Sequence, residues 1–147
     1  MSQVTVRIDI DAPPETVYDA MLDPERLDKW VTIHRRVNRA DDGPLREGYT
    51  MEQTLVLRGA PFKVRWTLTD YDRPSTATWE GKGPGGSYAR TTYRLAPDGN
   101  GTRFEYENEY KAPGGFLGAA ASRALVGGTS EREARASLER LKKLLED

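Results

Sequence analysis

Cysteine is absent from the 147-residue chain, so neither a disulfide framework nor a thiolate metal site is available to it. Histidine occurs once, at position 34, which excludes a multi-histidine metal centre. Charge of one sign is not in excess either: 22 Lys and Arg stand against 23 Asp and Glu. A nucleic-acid-binding domain normally shows a basic face, and this balance offers none. No window approaches the ~18 apolar residues of a membrane span. The opening MSQVTVRIDID lacks the apolar core of a secretion signal. Asn100-Gly101-Thr102 fits a glycosylation acceptor, but without such a signal it reads as a hairpin turn. The expectation is a cytoplasmic domain with no metal, cofactor, nucleic acid or membrane span.

What is present is alternation. Val4, Val6, Ile8 and Ile10 alternate with Thr5, Arg7 and Asp9, the period of a strand with one buried face. Pro13-Pro14 stops it, and Glu15 to Leu22 reads as a short helix with Val17, Tyr18, Met21 and Leu22 inward. Asp23-Pro24 breaks that helix before a second short one ending at Trp30. From Ile33 onward the pattern is strand and turn. Tyr49, Met51, Gln53, Leu55 and Leu57 share one face of the third strand. Phe62, Val64, Trp66 and Leu68 share one of the fourth, and Trp79 points inward from the fifth. In the last hairpin, residues 88–95 and 102–110, facing pairs should place Leu95 against Phe104, Tyr93 against Tyr106 and Thr91 against Asn108. The same register sets Arg94 against Glu105 and Arg90 against Glu109 outside. Seven strands in an antiparallel meander, with helices segregated from them, make an α+β fold.

The chain closes on a helix. Ala134, Leu138, Leu141 and Leu145 form one stripe of a 3.6-residue period in TSEREARASLERLKKLLED. Ser130 and Glu133 have capping-box spacing, and Glu131–Arg135, Glu139–Lys142 and Glu139–Lys143 are spaced as outer-face ion pairs. Upstream, residues 116–126 are rich in small residues, and Gly127-Gly128 predicts a kink in one long helix.

The run from Ala12 to Trp30, with Pro13, Val17, Tyr18, Asp23-Pro24, Leu27 and Trp30 at their spacing, resembles the opening of the START-like (SRPBCC, polyketide cyclase/dehydrase) superfamily. Trp30 to His34 resembles a bacterial, largely uncharacterised subgroup, some members of which are named toxins of toxin–antitoxin pairs. The resemblance covers the whole chain and implies one domain, residues 1–147. It also implies a helix-grip fold, in which a curved seven-stranded antiparallel sheet wraps a long C-terminal helix and leaves an apolar cavity between them.

Candidate chemistry is sparse. Gly81-Lys82-Gly83-Pro84-Gly85-Gly86 matches a dinucleotide-binding fingerprint in letters, but a strand follows it rather than a helix, so it reads as a turn. Ser122, Ser130 and Ser137 have no histidine in pattern, and no catalytic residue is assigned. His34 sits on a strand of two-fold phase, with Ile33, Arg35 and Val37 inward or else His34, Arg36 and Asn38. Polar residues on inward faces carry more information: Gln53, Thr91, Tyr93, Tyr106 and Asn108 need partners among themselves, water or a ligand. Trp30, Tyr49, Met51, Trp66, Trp79 and Phe116 would supply apolar wall, with His34 as a further ligand contact. Replacing Gln53 or Asn108 by Leu is expected to alter ligand choice more than stability. The reading is a protein that binds or carries a small hydrophobic or amphipathic molecule, leaning away from catalysis. The alternatives are a cyclase, aromatase or dehydratase acting on a polyketide-like substrate, and a toxin or regulatory protein working through a partner. Whether the chain forms a homodimer is left open.

Overall fold

The alternating segments form one seven-stranded antiparallel sheet in the computed structural model, which describes residues 2–57, 59–111 and 129–146. Its elements are β1 (Ser2–Ile10), α1 (Pro14–Leu22), a 3-10 turn (Pro24–Arg26), α2 (Leu27–Trp30), β2 (His34–Ala40), β3 (Thr50–Leu57), β4 (Ala60–Asp72), β5 (Thr76–Lys82), β6 (Tyr88–Asp98), β7 (Gly101–Lys111) and α3 (Thr129–Glu146). The strand order is β1-β7-β6-β5-β4-β3-β2, so β1 and β2 are the edges. This is the α+β helix-grip arrangement expected from the chain. Phe116, the small-residue stretch 116–126 and the kink expected at Gly127-Gly128 lie outside the described residues. Among the described residues, no helix is long and apolar enough to cross a membrane.

The β6–β7 hairpin takes the expected register. Leu95 faces Phe104, Tyr93 faces Tyr106, Thr91 faces Asn108, and outside them Arg94 faces Glu105 and Arg90 faces Glu109. Long alternation on both strands leaves no other pairing that buries both apolar sets. On the outer face Arg94 reaches Glu105 at 3.1 Å, and Arg7 of β1 reaches the same carboxylate at 2.8 Å. The Arg7 hydrogen bond holds that carboxyl below the usual glutamate range.

The open phase of β2 is resolved by irregularity. His34 pairs with Leu55 and Val37 with Gln53, with register shifts flanking them. Each shift inserts an extra residue. Both alternatives therefore contribute one residue to the inner face, His34 and Val37, while Arg35 and Arg36 are exposed.

The core gathers Val6, Ile10, Leu68 and Phe104 from the sheet, Val17, Tyr18 and Met21 from α1, and Leu138 and Leu141 from α3. Pro14 at the first helical position and Asp23, which accepts from the Glu25 N–H at 2.9 Å, punctuate the early helices. Tyr18 donates to the Thr76 carbonyl at 2.8 Å, fixing α1 on the sheet. The stripe of α3 is buried as its spacing predicts: Leu141 is 0% exposed, Leu138 1%, and Leu145 packs at the margin. Of the outer pairs, Arg135–Glu131 forms at 3.5 Å. Lys142 pairs with Glu146 and also donates to the Asp9 carbonyl at 2.9 Å, so it fastens α3 to β1. Glu146 accepts in turn from the Asp11 N–H.

Candidate functional site

Between the inner sheet face and the helices lies a cavity of about 430 Å³, within the ~300–1,000 Å³ of small-molecule sites. Met51, Gln53, Val64 and Trp66 form one wall, from β3 and β4. Trp79, Thr91, Tyr93, Tyr106 and Asn108 form another, from β5 to β7. Trp30 of α2 and Ala134, Ser137 and Leu138 of α3 close it. Nine of the candidate residues are thereby brought together: Trp30, Met51, Gln53, Trp66, Trp79, Thr91, Tyr93, Tyr106 and Asn108. Phe116 lies outside the described residues. His34 and Tyr49 face a shallower depression beside β2, shared with Asp23, Asp28 and Asp41. Tyr49 packs its ring edge against Trp79 at 6.3 Å, behind the cavity wall.

On β5 the cross-strand partner of Trp66 is Gly81, and the indole occupies the space that a side chain there would need. A Cβ at that position would stand 2.6 Å from the indole and 2.7 Å from the Val64 side chain. Gly81 therefore belongs to strand β5 and to the wall, not to a phosphate loop. The turn that follows it, Pro84–Gly86, leads directly into β6.

The Trp66 indole nitrogen donates to Gln53 Oε1 at 2.9 Å. An indole N–H is only a donor, so the amide oxygen must face it and the amide nitrogen must face the other way. That nitrogen lies 2.8 Å from His34 Nδ1. Nδ1 is therefore the acceptor, and His34 is neutral with its proton on Nε2. Burial pushes the His34 pKa down, opposed by the Asp28 charge. A chain of three side chains thus runs from the cavity wall to the outer depression.

Linkage gives this a measurable consequence. The unfolded chain takes up a proton at His34 more readily than the folded one, so stability rises with pH across that titration. It should be fully present above about pH 6.5, the unperturbed value, and decline as pH falls through the depressed folded pKa. Because His34 is the only histidine, urea unfolding between pH 7.5 and 5 should show this slope in the native protein and lose most of it in His34→Asn.

Two polar residues of the cavity were not legible as such. Ser137 Oγ accepts the Thr32 N–H at 3.0 Å, and the Thr32 hydroxyl meets both Ser137 Oγ and the Glu133 carboxylate. The loop after α2 is thus tied to α3. Ser137 sits between Ala134 and Leu138 on the apolar stripe, a position that could have marked it. Glu133 reads in sequence as a capping partner of Ser130, whose side chain lies outside the described residues; its carboxylate bonds Thr32.

Elsewhere Thr91 donates to Asn108 Oδ1 at 3.2 Å, and the Tyr93 and Tyr106 rings pack with centroids 5.9 Å apart. Burial pushes the Tyr106 phenol up to about 12 and raises Tyr93 as well, so both keep their protons near neutrality. The Trp30 indole nitrogen is buried and has no partner among the described residues. No cluster of metal-ligating side chains occurs among the described residues.

Solved structures share this architecture. A protein from Thermus thermophilus superposes with a TM-score of 0.80 at 20% identity, over 98% of this chain and 97% of its own. A Chromobacterium violaceum protein gives 0.76 at 19%, over 99% and 97%. In sequence the chain is 28% identical over 129 residues to the Mycobacterium tuberculosis H37Rv protein named Toxin Rv0910, covering 84% of this chain and 90% of that one. The profile of the family described as polyketide cyclase / dehydrase and lipid transport matches residues 1–146, and the chain belongs to that family.

Proposed function

We propose that the protein binds and carries a small hydrophobic or amphipathic molecule in the cavity between its sheet and α3, in the cytoplasm, without transforming it. The observation that carries this reading is the cavity itself: ligand-sized, walled by Trp66, Trp79, Met51 and Leu138, and mostly apolar in the surface it presents. The ionisable groups there are not paired for acid–base work: the Glu133 carboxylate is engaged by the Thr32 hydroxyl, burial keeps the Tyr93 and Tyr106 phenols protonated, and the single histidine opens onto the outer depression. The family's description, which covers lipid transport as well as cyclases and dehydrases, accommodates such a role.

The test is mass spectrometry of the purified protein under native conditions, followed by a melting panel of fatty acids, sterols, flavonoids and polyketide-like aromatics. A ligand at a hundredfold excess over its Kd stabilises the native state by about 2.7 kcal/mol, several degrees in melting temperature for a domain of this size. At least one compound should do this and change tryptophan fluorescence. A panel without effect on either, with no co-purifying molecule, would sink the proposal.

The relative named a toxin favours a second reading, action through a macromolecular partner. Leu144 is the one large apolar residue exposed among the described residues, so the outer surface described lends it no apolar docking patch. Growth arrest on expression, unaffected by substitutions in the cavity wall, would favour it.

A further inference from the structure

We propose that the His34–Gln53–Trp66 chain is a hydrogen-bond relay, switched by protonation of His34, that couples the acidity outside the protein to the shape of the cavity wall, and so to ligand retention; this rests on the carrier reading for its consequence, but not for its mechanism. Counting donors and acceptors carries the argument. With His34 neutral, two contacts are served by two donors and two acceptors: indole N–H to amide oxygen, amide N–H to Nδ1. A proton added at Nδ1 turns that end into a donor. The chain then has a donor at each end, and Gln53 has one acceptor atom, Oε1, which faces Trp66 while the amide nitrogen faces His34, so it cannot serve both. One of the two contacts must fail. If the amide turns to offer its oxygen to His34, its NH2 group confronts the Trp66 N–H, and the indole loses its anchor. If the amide stays, His34 is expelled from the inner face of β2.

Both ends are placed for such a role. Gln53 and Trp66 belong to the cavity wall, and His34 to the outer depression. The charges facing that depression are acidic: Asp23, Glu25 and Asp28 from the segment between α1 and β2, and Asp41 and Asp42 from the turn after β2. Asp23 is partnered by Arg26, and Asp41 by Thr50 and Arg46. On its own strand the neighbours Arg35 and Arg36 are exposed, and Arg36 turns to Asn38. Burial opposes the imidazolium and Asp28 favours it, with burial the larger, so the proton arrives below the ordinary histidine range. Gly81 fixes the ring's seat so closely that a shifted indole alters the wall itself.

The experiment reads the relay directly. Of the three tryptophan indole resonances in a proton–nitrogen correlation spectrum, Trp66→Phe identifies one. In the native protein that resonance should move as pH falls from 7.5 to 5, following the His34 titration. In His34→Asn, whose Oδ1 offers the amide a permanent acceptor, it should stay still. N-phenyl-1-naphthylamine, an uncharged apolar dye across this range, should bind the native protein roughly fivefold to tenfold more weakly at pH 5 than at pH 7.5, the loss of about one hydrogen bond. His34→Asn should bind it equally at both. A Trp66 resonance that ignores pH, or that moves alike in both proteins, would overturn the relay. A dye that binds at neither pH would count against the carrier reading and leave the resonance to decide the relay alone.

Discussion

Leu141→Ala should lower the melting temperature by roughly 5–15 °C in a calorimetric scan. Leu141 is fully buried where α3 crosses the sheet, in one cluster with Phe104, Val6 and Leu138. Removing such a side chain forfeits its transfer free energy and leaves a cavity, about 2–5 kcal/mol in all. A domain has only ~5–15 kcal/mol in total, so one residue carries a large share of the fold. Each kcal/mol is about 2–4 °C for a chain of this size. Lys142, on the next position, makes the comparison sharp. The spacing of its charges suggests a silent surface residue, yet it donates to the Asp9 carbonyl and pairs with Glu146. Lys142→Ala should therefore cost a small amount, up to about 1 kcal/mol, as exposed pairs do. Equal losses from the two substitutions would show that α3 is not held by its apolar stripe.

Gln53→Leu should destabilise the protein by about 2 kcal/mol in urea unfolding at pH 7.5, and shift the tryptophan emission. From sequence alone the opposite sign is reasonable, since an apolar isostere relieves a polar group awaiting a ligand. The structure gives Gln53 two partners already, and Leu would orphan the Trp66 N–H and the His34 Nδ1 together. Stranding a half-buried donor and acceptor costs about 1–3 kcal/mol. Gln53→Glu is the informative companion: its carboxylate still accepts from Trp66 but cannot donate to neutral His34. It should therefore raise the His34 pKa, visible by proton titration. Stability unchanged in Gln53→Leu would mean that the three-residue chain contributes nothing.

Sequence periodicity carried far where both faces of a strand are patterned. The β6–β7 register followed from it because a slip by one residue would expose Phe104 and bury Arg94. Most of the cavity wall followed too, since an inward face fixes every second residue at once. What escaped was local. A strand with register shifts has no single phase, so neither alternative for β2 could place His34 and Val37 on the same side. Gly81 looked like the start of a turn because glycine says nothing about the indole that needs its missing Cβ. The bonds of Glu133 and Ser137 to Thr32 span 101 and 105 residues, and no local pattern encodes them.

One topological fact bears on how this chain comes into being. β1 has a single sheet neighbour, β7, and their side chains meet across 98 residues, as Arg7 and Glu105 do. During synthesis the first strand emerges long before anything it can pair with. The meander from β2 to β7 can zip up hairpin by hairpin as it leaves the ribosome, whereas β1 waits with its apolar side uncovered. Contacts of such separation form late and slowly, because a long loop must close before they repay it. Val4, Val6, Ile8 and Ile10 alternate with polar and charged residues along that waiting strand. Charges such as those of Arg7 and Asp9, modest in the finished fold, are of the kind that discourage an unpaired strand from pairing with a neighbouring chain.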